Sequence, residues 1–173
     1  ALQRLPHAQR WPIAMALAAR AEDVADANIK HMLWFGIQPA VPGDPQRALA
    51  LAAATPLPRL CEFVYRRLAE AGGEALSAAL VAIGDATDAR TTTERLDFVQ
   101  RGLARTPPDV MPANWPDVRT RIERLGAAAA NDAALWLAGR FGDPAARPRL
   151  SSGTSRSGRA YFRRRWSKRA CKR

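Results

Sequence analysis

Along the first 146 residues, apolar side chains recur at spacings of three and four, the period of one face of an α-helix, and the two-residue alternation of a half-buried strand is absent. Over 11–20, Trp11, Met15 and Leu17 or Ala18 form such a stripe, with Pro12 tolerable in the first turn. Ile29, Leu33 and Ile37 follow at intervals of four with Met32 beside them, and Asp26 is placed to cap a helix that runs to Gln38, before Pro39 and Pro42. Asp44-Pro45 reads as an N-cap followed by a first-turn proline, whose missing N–H costs nothing there, and opens a short helix to Ala54. Thr55-Pro56 repeats that signal. Leu60, Phe63, Val64, Leu68 and Ala71 then make a buried stripe that Gly72-Gly73 ends, while Glu62, Arg66 and Glu70 line the polar side as the charge ladder of a solvated face.

The series continues with Leu76, Leu80 and Ile83 inward over 74–83, and with Leu96, Val99 and Leu103 inward over the longest segment, 88–105, where Thr91 and Glu94 have capping-box spacing. After a proline-rich loop over 106–116, Val118, Ile122 and Leu125 line 117–125 and Gly126 closes it. Asn131 is expected to cap a helix with Leu135, Ala138 and Phe141 inward, and Gly142-Asp143-Pro144 combines a stop with a further start. Helices of roughly 10 to 18 residues joined by short loops predict an all-α fold. Their pairing at roughly 30 to 45 residues predicts a HEAT-like stack of antiparallel helical hairpins, an α-solenoid, over 1–146.

Composition agrees with helices: 36 Ala and 17 Leu stand against 7 Val and 5 Ile in 173 residues. No stretch approaches the roughly 18 to 20 uncharged apolar residues of a membrane-spanning helix. Two cysteines, Cys61 and Cys171, build neither a disulfide framework nor a Cys-rich zinc site. The net charge of +11 invites a nucleic-acid reading, but its distribution narrows that. Residues 151–173 hold nine bases and no acid, whereas 1–150 hold 18 bases against all 16 acids. The body is therefore near neutral, and the basic, Ser-rich segment from about 147 is expected to be disordered or read out of frame, as GC-rich coding DNA would allow where Arg outnumbers Lys 24 to 3. A rival reading makes Tyr161-Phe162-Arg163-Arg164-Arg165-Trp166 a nucleic-acid-binding arm.

Candidate chemistry in the body is sparse. His7 and His31 lack a second ligand at i+3 or i+4, and Glu22, Asp23, Asp26 and Asn28 lack the alternation and glycine of a calcium loop, so no metal residue is assigned. Ser77 has no nucleophile-elbow motif, and no catalytic or cofactor-binding residue is assigned either. Trp34 lies off the Ile29, Leu33, Ile37 line, where it either packs between helices or presents an aromatic surface.

Glu22-Asp23-Val24-Ala25-Asp26-Ala27-Asn28 and Met32-Leu33-Trp34-Phe35-Gly36-Ile37-Gln38-Pro39 resemble a segment of large bacterial PVC-type membrane-bound dehydrogenase-like proteins. Pro58 to Leu68 resembles the Arg-Arg-bearing helix that follows in them, as does 111–144 in its turn. The resemblance covers most of 1–146. It implies the HEAT-like region between a sugar-dehydrogenase-type β-propeller and a c-type cytochrome with a CxxCH haem attachment. Cys61 is followed by Glu62-Phe63-Val64 and Cys171 by Lys172-Arg173, so no haem residue carries over, and haem c is expected only in another part of the parent protein. Ala1 to Pro6 reads as the last turn of a helix, and the chain is expected to be a piece of such a parent, exported to the periplasm although no signal peptide is visible. The function expected is non-catalytic: a scaffold or spacer whose partners are neighbouring domains, with Asn28, His31, Trp34, Arg66 and Arg67 as the candidate interface. The alternatives are a stand-alone interaction scaffold and a nucleic-acid binder that uses the basic arm.

Overall fold

A computed structural model describes residues 2–26, 28–104, 108 and 110–146. The described residues are all-helical, with no strand: α1 (His7–Ala18), α2 (Ile29–Ile37), α3 (Pro45–Ala54), α4 (Pro58–Ala71), α5 (Gly73–Gly84), α6 (Ala89–Gly102), α7 (Trp115–Arg124) and α8 (Ala128–Arg140). Short 3-10 turns occupy Leu2–Arg4, Ala21–Ala25, Val41–Gly43 and Pro144–Ala146. The basic segment after Ala146, with Cys171 and the Tyr161 to Trp166 arm, lies outside the described residues, as does the Arg105 end expected for the longest helix.

Helix starts follow side-chain chemistry. Asp44 accepts a hydrogen bond from the Arg47 N–H (3.1 Å) at the start of α3, and Asp26 accepts from the Asn28 and Ile29 N–H groups (2.6 and 3.1 Å) ahead of α2. The starts of α1 and α7 fall earlier than expected, at His7 and Trp115, those of α4 and α8 shift as well, and α6 keeps its start with a simpler cap. Thr55 does not open α4, because its hydroxyl donates to the Ala18 carbonyl (2.8 Å) and accepts from the Leu57 N–H (3.2 Å), so the helix begins at Pro58. In α6, Asp88 is the cap, taking the Thr91 N–H at 2.7 Å, and Glu94 pairs with Arg90 instead of completing a capping box. In α8, Gly126 turns the chain at φ 66° and the helix starts at Ala128, which places Asn131 inside it rather than at its cap.

Contacts fall into an order. The odd-numbered helices meet in sequence, α1 on α3, α3 on α5 and α5 on α7; the even-numbered do the same, α2 on α4, α4 on α6 and α6 on α8. Between these two layers lies one continuous core that includes Ile37, Leu51, Leu60, Leu80, Leu96 and Trp115. The most extensive helix pairing is α4 against α6, where Gly102 lets the backbones come together: a Cβ there would sit 2.5 Å from the Arg66 carbonyl oxygen. In α8 the centre of the buried face is Leu137, and Leu135 is only half-buried. At the other end Leu17 is exposed, because Trp11, Ala14 and Ala18 fill the inner face of α1.

Candidate functional site

Three faces divide α2. Leu33, Gly36 and Ile37 are buried; Met32 and Phe35 point outward, 71% and 57% exposed; His31, Trp34 and Gln38, spaced by three and four, flank α4. Phe63 on α4 receives the rings of that flank. Its centroid lies 5.3 Å from Trp34 at 35° and 5.7 Å from His31 at 50°. One helical turn further along α4, Arg66, Arg67 and Glu70 complete a cleft of about 200 Å³ lined by Trp34, Gln38, Phe63, Arg66, Arg67 and Glu70. Four of the five candidate interface residues, His31, Trp34, Arg66 and Arg67, therefore gather around Phe63. Asn28 stays outside the group: it is exposed in the turn before α2, donating its N–H to Asp26.

The polar side of α4 is more than the solvated ladder expected of it. Glu62 is only 8% exposed, and three guanidiniums converge on its carboxylate: Arg101 from α6 at 2.5 Å, with Arg59 and Arg66 from α4 itself, each at 3.7 Å. Arg67 pairs with Glu70 at 3.8 Å, and its Nε–H is buried without an acceptor among the described residues. Arg101 also lies over the Phe98 ring, 5.7 Å from its centroid. A band of arginines and aromatic rings thus crosses α2, α4 and α6 with Glu62 at its centre. Phe63, read from the sequence as core, and Gln38, read as a helix end, are the members that periodicity did not single out.

Elsewhere on α4, Cys61 and Tyr65 lie against Arg95 of α6. Burial pushes the Cys61 thiol up, and it pushes the Tyr65 phenol up to about 12, against the opposing charge of Arg95, whose guanidinium lies 5.5 Å from the Tyr65 ring centroid. Both groups stay neutral near pH 7, which suits packing rather than nucleophilic chemistry. Among the described residues no cluster of three or more His, Cys, Asp or Glu side chains is poised to hold a metal, and no helix is long and apolar enough to cross a membrane. Ser77 contributes its backbone carbonyl, which accepts from the Asn114 amide at 2.8 Å.

Comparison with protein-family models, with curated proteins and with solved structures finds no match to this chain. The site must therefore be read from its own chemistry. It offers aromatic walls, paired arginines and, on the same helix as Trp34, exposed apolar side chains, which are the ingredients of a protein-docking surface.

Proposed function

We propose that this chain is a non-catalytic, HEAT-like helical spacer that holds neighbouring domains at a fixed separation, in a parent that resembles an exported dehydrogenase-like protein carrying c-type haem elsewhere. The observation that carries the reading is the contact order of the helices: odd on odd and even on even, each hairpin burying its stripe against the next. Such a stack transmits position along its length, because each unit is fixed by the units beside it.

Its first hairpin supplies a face for a neighbour. Five of the seven exposed large apolar side chains among the described residues, Ile13, Leu17, Val24, Met32 and Phe35, fall between positions 13 and 35. Met32 and Phe35 lie on the same helix as Trp34, which lines the cleft with Arg66 and Arg67. Exposed apolar side chains on a helix that lines an arginine-bearing groove suit an inter-domain contact, where a few aromatic and arginine anchors carry most of the binding energy.

Coding DNA on either side of this chain tests the proposal. Propeller-coding sequence upstream and a CxxCH motif in any downstream frame are the expected result. An isolated reading frame with its own start codon and neither module beside it would rule the spacer role out.

A further inference from the structure

We infer that the cleft between α2 and α4 docks an acidic, extended peptide segment of the partner domain that carries one aromatic or long apolar side chain. The inference rests on the positioning role proposed above and adds the chemistry of what is held. Charge sets the sign of the occupant: two guanidiniums, Arg66 and Arg67, and one carboxylate, Glu70, line the cleft, and Arg66 has only a share of Glu62, which Arg59 and Arg101 also approach. Each guanidinium carries five N–H donors, more than a single carboxylate contact consumes. A carboxylate entering the cleft supplies acceptors in the paired geometry that arginine favours.

The walls set the rest of the ligand. Trp34 and Phe63, tilted at 35°, leave an aromatic surface on which one apolar side chain can lie, and the Gln38 amide offers both a donor and an acceptor to a peptide backbone. A single nucleic-acid strand fits less well. A cleft of about 200 Å³ takes one side chain rather than a run of stacked bases.

The test titrates the full chain into a short fluorescein-labelled peptide of glutamates and glycines around one tryptophan, followed by fluorescence anisotropy. Saturable binding is expected, weakened about tenfold or more by Arg66→Gln combined with Arg67→Gln, and similarly by replacing the probe's glutamates with glutamine. The nine bases after position 150 are common to both proteins, so the ratio of affinities isolates the cleft. Phe63→Leu is a second variant that keeps all charges and is expected to lose several-fold in affinity, with far-UV circular dichroism showing both variants folded. Unchanged affinity in these variants overturns the proposal, as does failure of the probe to bind. Preferential binding of an oligothymidylate of equal length, with amide shifts at Trp34, Phe63 and Arg67, overturns it in favour of nucleic acid. The spacer role is decided by the flanking coding sequence, so either idea can fail without the other.

Discussion

Arg10 is 7% exposed, and its guanidinium donates to three backbone carbonyls, those of Leu5 (2.8 Å), Gly36 (2.9 Å) and Gln3 (2.9 Å). The Gly36 carbonyl belongs to the last turn of α2, where the helix dipole is negative, so the charge is placed where the fold can tolerate it. Arg10→Met keeps much of the length but strands three acceptors, and is expected to cost about 2 to 4 kcal/mol in urea unfolding. Asp143 makes a comparable tie at the other end. Burial by itself would raise its pKa, but the Ala145 N–H and the Arg119 guanidinium, at 2.9 Å each, outweigh that and hold the carboxyl below the usual range. A pKa lowered by folding adds stability that is complete above the unfolded value of about 4 and is lost as pH falls through the lower folded value. Asp143→Asn is therefore expected to lower Tm at pH 7, with the two melting curves converging near pH 2. A constant difference across that range would show that the charge is not what matters.

At the scale of helices, the most extensive joint is α4 on α6. Gly102 permits it, since an added Cβ would lie 2.5 Å from the Arg66 carbonyl oxygen and 2.7 Å from the Ala69 Cβ, and backbone on α4 cannot step aside as a side-chain tip would. Gly102→Ala is expected to cost about 1 to 3 kcal/mol despite alanine's better helix propensity, read as a lower denaturation midpoint. The same joint shows where sequence reading stops. Spacing of apolar residues locates every helix, because a stripe is a local property of one segment. It is silent on Glu62, whose i, i+4 neighbours made it look solvated while Arg101, 39 positions away, covers it. Caps failed for a related reason: Thr55 and Asn131 are good cap residues, but Thr55 is occupied by the Ala18 carbonyl, and Gly126 starts α8 before Asn131 is reached. Of the candidate interface, Trp34 stands out in the sequence as displaced from the apolar line, whereas Arg66 reads as a member of the charge ladder on the polar side of α4. That they share a cleft depends on Phe63 and on the α2 to α4 contact, which no single-helix pattern encodes.

For the whole molecule, the contact order sets where stability should concentrate. The central helix α4 rests on α2, α3, α5, α6 and the turn at Val41–Gly43, and α6 adds α8, whereas the main helix contacts of α1 are α2 and α3. Opening α1 breaks contacts with few helices and opening α4 breaks contacts with several, so local unfolding free energies should grade from end to centre. Amide hydrogen exchange on this chain is expected to be slowest in α4 and α6 and faster by at least about tenfold in α1 and α2, where Met32 and Phe35 are uncovered. Uniform protection across all eight helices would instead mean one cooperative unit, in which the layered order has no energetic consequence. The gradient also gives the spacer proposal a physical reading. If a neighbouring domain covers the first hairpin, exchange in α2 should slow in the longer protein while α6 stays unchanged, because added contact at one end reaches the centre only through the helices between.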